Sequence, residues 1–533
     1  MKFNYRILTI LGFAGTLFVG CGSTGAILST PIENIDTAPL KVTALTDAEA
    51  KNWGHLDLIN DTIPGMSVDK AYAEIIKNKK GKKVIVAVID SGIDIDHEDL
   101  RSVVWTNEDE KPNNGIDDDN NGYVDDIHGW NFLGDGYDEQ LEYVRLIASG
   151  DTSDPRYAEA VELQEKEYQQ YLGTKTRYDQ IGAAVKGAHD TLTTHFGKSD
   201  YTIAEVNAIE TEDEMLNQAV QIAVQMNANG LSLADANTEI NNALESINER
   251  LNYHFNIDFS GRTTDDDIND LSDIGYGNGN VKPVKKSESH GTHVAGIIGA
   301  ERNNGLGANG VANNVEIMSI RTVPNGDEYD KDVALAIRYA VDNGAKVING
   351  SFGKSFSPHP EWVRDAIKYA SDNDVVFVHA AGNDSKNVDE GANFPDDNVD
   401  FVEISNTYIR VGSLTSKYGS KIVSGFSNYG KKNVDVFAPG SDIYSTFPEN
   451  DYKSISGTSM ASPAVAGVAA LIRSYYPKLT AAQVKQVILA SGLPITTKVV
   501  VGGDSSNVKS FSDLSTTGRI VNAYNALIMA SKL

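Results

Sequence analysis

Gly-Thr-Ser-Met-Ala-Ser-Pro occupies residues 457–463 and leads directly into a run of small apolar residues at 464–472. A run of this composition predicts a helix that is buried on nearly all sides. Ser459 would lie at the N-terminus of that helix, where unpaired backbone N–H groups and the positive end of the helix dipole stabilise a developing oxyanion. Ser459 is therefore a candidate nucleophile, although serine is also a common N-cap residue at such a junction.

Two other stretches supply the partners that a nucleophilic serine needs. A β-branched run at 84–89 ends in Asp90 and a glycine turn, and His290 begins a second segment of small residues at 290–296. Serine catalysis requires a base that takes the hydroxyl proton and a carboxylate that orients the base. The chain order Asp90, His290, Ser459 is one of three known orders of this triad, which favours the nucleophile over the simple cap.

These motifs resemble those of the subtilisin-like serine peptidases. The resemblance is carried by Val-Ile-Asp-Ser-Gly-Ile-Asp at 88–94, His-Gly-Thr-His-Val-Ala-Gly at 290–296 and the 457–463 stretch. A fourth segment, Ala-Ala-Gly-Asn at 380–383, is similar to the oxyanion-hole segment of that family. The resemblance covers roughly 80–135 and 285–533 and is absent between them.

The resemblance implies a serine endopeptidase that hydrolyses peptide bonds through an acyl-enzyme. It assigns the nucleophile to Ser459, the base to His290, the orienting carboxylate to Asp90 and an oxyanion donor to Asn383, and it leaves His293 with a structural role. Two other interpretations stay open. One is a non-catalytic, calcium-dependent binding protein on the same fold, and the other is a protease dedicated to processing one partner.

The pattern of the catalytic regions predicts an α/β fold. Strand-like runs at 84–89, 315–320, 346–349 and 375–379 are separated by helical stretches at 291–301, 331–342 and 361–373. Such alternation indicates right-handed crossovers and a mostly parallel sheet with the active site at the carboxyl ends of its strands. The resemblance implies the three-layer form of this architecture, with helices on both faces of the sheet.

The length of 533 residues predicts several domains or one domain with a large insertion. We expect the peptidase domain at 53–135 and 285–533, and a helical subdomain beside the cleft at 136–284, where apolar residues recur at three-four spacing. This insertion could screen substrates, dock a partner or be a passive addition.

The N-terminal residues read as a targeting segment. Lys2 and Arg6 precede an apolar run at 7–20, which is too short to span a bilayer. The residues before Cys21 resemble a bacterial lipobox, which implies a lipoprotein signal at 1–21, lipidation of Cys21 and an exported, membrane-anchored enzyme. The alternative is a stray cysteine after an ordinary signal. Residues 22–52 are predicted to be a tether.

The charge and cysteine content of the chain indicate which classes of binding partner and which sources of stability to expect. The net charge of −28 would repel phosphates, which argues against nucleic acid as a partner. The family resemblance implies protein or peptide substrates, and we expect a monomer. Cys21 is the single cysteine, which excludes an intramolecular disulfide. Stability is therefore expected to come from packing and from bound cations at the acidic loops.

The acidic loop at 113–126 resembles the start of an EF-hand and predicts a calcium site. Its candidate ligands are Asp117, Asp119, Asn121, the carbonyl of Tyr123, Asp125 and Asp126. His128 stands where an EF-hand has its bidentate glutamate, so a solvated acidic loop is the alternative. The family resemblance implies a second calcium site. Its ligands would be Asp99, the side chain of Asn304 and the carbonyls of Arg302, Leu306 and Ala308.

The substrate is expected to bind as an extended strand between two exposed edges, so that main-chain hydrogen bonds provide affinity and pockets provide selectivity. By resemblance, these edges lie near Gly326 and near Ser351, Phe352 and Gly353, and the primary pocket lies between the latter edge and His379, Ala381 and Gly382, with Asn393 near its base. No acidic residue is assigned to that base, which favours broad or apolar side-chain preference.

Overall fold

The structure is a computed structural model that describes residues 30–32 and 41–533. Its strands are β1 (Val84–Asp90), β2 (Gly129–Asn131), β3 (Val315–Arg321), β4 (Val347–Gly350), β5 (Val376–Ala380), β6 (Asn398–Val399), β7 (Val402–Glu403), β8 (Tyr408–Leu414), β9 (Val436–Pro439), β10 (Ile443–Phe447), β11 (Asp451–Ile455), β12 (Leu493–Pro494), β13 (Lys498–Val501), β14 (Asp504–Ser510) and β15 (Arg519–Ile520). The α-helices are α1 (Asp47–Asn52), α2 (Leu58–Asp61), α3 (Val68–Ala71), α4 (Glu142–Ser149), α5 (Tyr157–Phe196), α6 (Ile203–Asn207), α7 (Glu214–Ala228), α8 (Leu233–Glu249), α9 (His290–Gly299), α10 (Asp330–Asp342), α11 (Pro360–Asp372), α12 (Thr458–Tyr475), α13 (Ala481–Ser491) and α14 (Ala523–Ala530).

Nine strands form one sheet in the order β12-β15-β9-β8-β5-β4-β1-β3-β2. All neighbours in it run parallel except β12 and β15. Because parallel strands share one carboxyl edge, the segments that follow β1, β4 and β5 emerge side by side. The register pairs Ile89 with Gly350 and Gly350 with His379, which aligns these three strand ends.

The sheet is covered on both faces, and strand β1 shows how. Val86 and Val88 belong to an apolar cluster with residues of α9, α12, α13 and α14. Ala87 and Ile89 point the other way, into a cluster with α10 and α11. Alternate side chains of a central parallel strand are thus both buried, as its unbroken apolar run requires. The predicted three-layer α/β fold is confirmed.

Helices α4 to α8 belong to the insertion between Asp90 and His290. Helices α5, α6, α7 and α8 share an apolar cluster of their own, which includes Val185, Leu192 and Ala219. The helical part ends with a π-turn at Arg250–His254. Residues 255–289 contain no helix. They return across the core, where the indole N–H of Trp130 donates to the carbonyl of Tyr276 at 2.9 Å. The helices therefore occupy a narrower range than the expected 136–284.

Part of the segment that was predicted to be a tether is folded onto the core. Helix α1 starts with a capping box formed by Thr46 and Glu49. The backbone of Ile32 donates to and accepts from the side-chain amide of Asn525, at 2.9 and 2.8 Å. The signal segment and Cys21 lie outside the described residues. No helix in the described ranges is both long and apolar enough to cross a membrane.

Candidate active site and acidic loops

Strand β1 and helix α9 bring the predicted carboxylate and base together. Asp90 is the last residue of β1 and is 1% exposed, whereas the side chain of His290, the first residue of α9, is 38% exposed. The Asp90 Oδ1 and His290 Nδ1 atoms lie 2.7 Å apart. This contact fixes the imidazole ring and leaves its Nε2 atom for a partner in the cleft.

The charge state of His290 follows from two opposing effects. Burial disfavours the imidazolium, but the neighbouring Asp90 carboxylate and its hydrogen bond outweigh burial and raise the pKa of His290 above its ordinary value. His293, one turn further along α9, is fully buried and contacts the carbonyl of Lys453 through Nε2 at 3.0 Å. Burial lowers its pKa to about 4. Of the two histidines, only His290 is placed to exchange a proton with the cleft.

Ser459 is the second residue of α12, so its backbone N–H has no acceptor within the helix. Its hydroxyl donates to the carbonyl of Ser351 at 3.1 Å, and the Ser351 hydroxyl donates back to the Ser459 carbonyl at 3.0 Å. Ser351 and His290 line the same cleft. Among the described residues, no hydrogen bond joins the Ser459 hydroxyl to His290, because the hydroxyl is directed to the Ser351 carbonyl.

The loop after β5 positions Asn383. Its side-chain carbonyl accepts from the N–H and from the hydroxyl of Thr458, at 2.9 and 3.0 Å. The Thr458 hydroxyl also accepts from the Gly382 N–H at 3.1 Å. With its oxygen held in this way, Asn383 presents its Nδ2 donor on the exposed side, next to Gly457. Sequence reasoning missed this role of Thr458, although the residue directly precedes Ser459 in the motif.

The two predicted substrate edges both lie on one cleft. Gly326, Ser351, Phe352 and Gly353 line it together with Asp90 and His290. Asn325 exchanges backbone hydrogen bonds with Tyr137 and Glu139, at 2.7 and 2.9 Å. Asn325 forms an isolated bridge with Asp138, and Gly326 is the bend that follows it. An added Cβ at Gly326 would lie 2.3 Å from the Glu139 carbonyl oxygen, so this position requires glycine.

The residues of the predicted primary pocket are also neighbours. The imidazole of His379 contacts the Phe352 carbonyl at 2.8 Å, which ties the ends of β4 and β5 together. A Cβ built on Gly382 would lie 3.4 Å from the Asn393 amide nitrogen, and Ala381 accepts from Asn428 at 3.0 Å. Asp396 is ion-paired with Arg364 at 2.6 Å, and Asp397 is buried. Asp396 is therefore already paired, whereas the buried Asp397 has one side-chain oxygen, Oδ2, without a hydrogen-bond partner among the described residues.

The acidic loop forms a carboxylate cluster, but the residues in this cluster are not the full set of predicted calcium ligands. Oxygen atoms of Glu110, Asp119 and Asp126 lie within 4.8 Å of one another. The amides of Asn107 and Asn121 each contact both Asp119 and Asp126, at 3.0 Å. Glu110 Oε2 is buried and has no partner among the described residues. An all-oxygen set of this size fits a hard cation such as calcium, whose ligands lie about 2.3–2.6 Å from the ion.

Two predicted ligands of this loop point elsewhere. Asp117 accepts from the N–H groups of Asn121 and Gly122, at 3.1 and 2.9 Å. Asp125 accepts from the N–H groups of Asn114 and Gly115, at 3.0 and 2.9 Å. Both carboxylates therefore close backbone turns instead of joining the cluster. The Tyr123 ring is buried, and its N–H donates to Asn121 at 2.8 Å. Glu110 was missed because it precedes the alternating motif.

The second predicted calcium site brings two of its side chains together. Asp99 is fully buried and accepts from the Asn304 amide at 2.5 Å, from the Ala308 N–H at 3.1 Å and from the Tyr452 hydroxyl at 3.0 Å. Leu306 donates its N–H to the Asn304 side chain at 2.9 Å. The side chain of Arg302 turns away to the Gly310 carbonyl and Asp69. The loop thus directs hydrogen-bond donors to Asp99, as the Asn107 and Asn121 amides do to the Glu110 cluster.

The insertion is joined to both cleft edges through buried charges. Lys354, which follows Gly353, lies 2.6 Å from Glu142 of α4 and 2.9 Å from Asp330. Arg145 of α4 lies 2.6 Å from Glu142 and donates to the carbonyls of Asp327 and Glu328, at 2.8 and 3.1 Å. Removing one member would leave a buried charge unpaired, so these contacts hold helix α4 against the segments that form both cleft edges.

Comparisons with known proteins point in one direction. A family model described as Subtilase family matches residues 81–510. A thermophilic serine proteinase of Bacillus sp. (strain AK1) is 45% identical over 188 residues, which are 35% of this chain and 43% of the relative. Thermitase of Thermoactinomyces vulgaris is 42% identical over 37% of this chain and 64% of the relative. Subtilisin DY of Bacillus licheniformis is 35% identical over 42% of this chain and 76% of the relative.

A solved structure of a cold adapted subtilisin-like serine proteinase shares 32% identity, covering 43% of this chain and 74% of that one with a TM-score of 0.34. The chain thus spans less than half the length of the Bacillus sp. proteinase and most of subtilisin DY.

Proposed function

Because this chain belongs to the subtilase family, we propose that it is a serine endopeptidase that hydrolyses peptide bonds through an acyl-enzyme on Ser459. The observation that carries the proposal is the 2.7 Å contact between Asp90 and His290 at the carboxyl edge of the sheet, in the cleft that also contains Ser351. Carboxylate, base and nucleophile-bearing helix meet where a doubly covered parallel sheet places its active site.

The reaction begins when the Ser459 side chain rotates from the Ser351 carbonyl toward His290. His290 takes the hydroxyl proton as Oγ attacks the substrate carbonyl, and Asp90 stabilises the imidazolium that forms. His290 then gives the proton to the leaving amine, and water reverses these steps to release the acid. The Ser459 N–H and the Asn383 amide donate to the oxyanion in both halves of the reaction.

The substrate is proposed to lie extended between Gly326 and Gly353, with one side chain in the pocket next to Gly382 and Asn393. We propose a broad or apolar preference at that pocket, since Asp396 is already paired with Arg364. The substrates are therefore proteins or peptides, selected mainly through main-chain contacts.

We further propose that calcium binds the carboxylates of Glu110, Asp119 and Asp126 and stabilises the loop that follows β1. Asn107 and Asn121 would contribute amide oxygens after a rotation of their side-chain amides. The orphaned Oε2 atom of buried Glu110 supports this assignment, because a buried carboxylate oxygen without a partner is costly. The resemblance of residues 1–21 to a lipoprotein signal supports an enzyme that is exported and anchored to a membrane through Cys21. We propose that the enzyme is a monomer.

Labelling with a fluorophosphonate tests the nucleophile directly. We expect wild-type protein to be labelled and to degrade casein, whereas Ser459→Ala does neither. Ser456→Ala, which changes an exposed hydroxyl three residues away in sequence, serves as the matched control and should be labelled like wild type. Labelling of Ser459→Ala, or no labelling of the folded wild type, would refute the proposed mechanism.

A further inference from the structure

The cleft wall contains a buried carboxyl group without a partner. Glu328 lines the cleft together with His290, Gly326 and Ser351, and it is 2% exposed. Its Oε1 atom is buried and has no hydrogen-bond partner among the described residues, and the carboxyl group forms no ion pair with any of them. The other acids nearby are paired, since Asp138 contacts Lys285 at 2.8 Å and Glu288 contacts Arg321 at 2.5 Å.

The charges around Glu328 do not balance. Lys354 and Arg145 together face the carboxyl groups of Glu139, Glu142, Asp327, Asp330 and Glu328 itself. Lys354 is already bonded to Glu142, to Asp330 and to the Glu328 carbonyl, and Arg145 to Glu142. Burial raises the pKa of Glu328, Lys354 opposes this effect, Asp327 and Asp330 add to it, and together these effects bring the pKa to about 8. This side of the cleft therefore lacks a cation.

The position of Glu328 indicates which part of a substrate could supply that cation. Glu328 follows Gly326 by two residues, and both residues line the same cleft. A substrate strand paired with Gly326 would thus run along the Glu328 carboxyl group. A single unpaired oxygen suits the compact point charge of an ammonium better than the planar fork of a guanidinium.

Resting on the proposed peptidase function, we propose that Glu328 selects substrates that place a primary ammonium group in this cleft, on the acyl side of the scissile bond and upstream of the primary pocket. The ammonium comes from a lysine side chain or from the N-terminus of a short acyl-side segment. In either case it donates to the unpaired carboxyl oxygen, and the proton that Glu328 holds in the empty cleft is released to solvent.

A peptide panel tests the proposal. Acetylated peptides carry lysine or its uncharged counterpart norleucine at each acyl-side position in turn, and a second set has free N-termini at varied distances from the scissile bond. We expect kcat/KM to favour the ammonium at one position by about tenfold or more. Glu328→Gln should reduce this ratio to about one, whereas Asp138→Asn, which removes an already paired charge from the neighbouring wall, should retain it.

The pH dependence of the wild-type ratio gives a test that does not depend on the variant folding. Glu328 must lose its proton to hold a cation, so a lysine preference should rise between about pH 6 and about pH 9. A preference for the N-terminus should instead pass through a maximum, because an α-amino group loses its own charge near pH 8. The titration of His290 cancels, because both peptides of a pair depend on it equally.

Each outcome has one meaning. A ratio near one at every position, or a preference unchanged in Glu328→Gln, overturns the selection by Glu328. If the same protein still reacts with the fluorophosphonate and cleaves uncharged peptides, the proposed peptidase function is retained and only the selection by Glu328 is rejected. Failure of wild type to react with the fluorophosphonate would instead remove the proposed function itself.

Discussion

The side-chain amide of Asn383 has its Oδ1 atom fixed by hydrogen bonds, and its Nδ2 atom is the donor that we assign to the oxyanion. Thr458 donates twice to the side-chain oxygen, so the amide cannot turn around without losing two hydrogen bonds. The Nδ2 donor is therefore oriented before any substrate arrives. Donors that need no reorganisation during the reaction are the ones that stabilise a transition state most effectively.

Replacing Asn383 with leucine should reduce kcat on the order of 10²–10³-fold and change KM little, as the loss of one oxyanion donor does in subtilisin. Steady-state kinetics on a chromogenic peptide measure this. Thr458→Val keeps the Asn383 donor but removes one of the two groups that orient it, so its kcat should lie between those of wild type and Asn383→Leu. A wild-type kcat in Asn383→Leu would show that this amide does not contact the oxyanion.

His290 must be neutral to accept the serine proton, and Asp90 raises its pKa above the ordinary 6.5. The value of kcat/KM should therefore fall as the pH drops through a pKa that lies above 6.5. In Asp90→Asn the stabilising charge is gone, so the midpoint should move to lower pH while kcat falls by about 10⁴. A pH–rate profile of both proteins measures the shift. An unchanged midpoint in Asp90→Asn would contradict the assigned pair.

At the level of single elements, regular segments were predictable from the sequence and loop side chains were not. The small residues after Ser459 leave room for packing on every side, and α12 is indeed buried along almost its whole length. The family resemblance, confirmed by the match over 81–510, rests on these same segments. The acidic loop behaves differently, because spacing does not reveal which carboxylates are used by backbone N–H groups. Asp117 and Asp125 accept from backbone N–H groups in this way, and Glu110 joins Asp119 and Asp126 in the carboxylate cluster instead of them.

Calcium should stabilise the folded protein by about 2.7 kcal/mol when its concentration is about 100 times the Kd. Thermal unfolding with calcium and with a chelator measures this difference. Glu110→Gln removes a charged ligand and should shrink the difference, whereas Asp125→Asn should lower both melting temperatures and leave the difference intact. If only Asp125→Asn abolishes the calcium effect, the ligands are those of the EF-hand alternation and not those of the Glu110 cluster.

At the scale of the whole molecule, the insertion consists of a base and an arm. The base packs Tyr143, Ala160 and Phe255 against Phe356 of the peptidase core. The arm has a separate apolar cluster built from α5, α6, α7 and α8. Because the two clusters are distinct, the arm can be removed without exposing the cleft wall. Sequence patterns could locate the helices but not this division, which depends on how they pack.

A truncation separates the roles of base and arm. A Cβ at Gly182 would lie 3.1 Å from Ile240, so residues 183–239 can be replaced by a short Gly-Ser linker. We expect fluorophosphonate labelling and cleavage of short peptides to stay within about threefold of wild type, because the removed contacts lie outside the cleft. Faster cleavage of folded proteins would identify the arm as a screen. Loss of labelling by the folded truncation would show that the arm supports the catalytic site.

The paired hydrogen bonds between Ile32 and Asn525 attach the N-terminal segment to the folded core, so they limit how far the core can lie from a lipid on Cys21. If Cys21 carries the proposed acyl chains, about 11 residues separate the lipid from this attachment point, and even a fully stretched chain spans only roughly 36–40 Å. The enzyme would then be confined to a thin layer next to the bilayer. Chains displayed on the same surface would meet it at a high effective concentration, whereas proteins in bulk solution would have to diffuse into that layer.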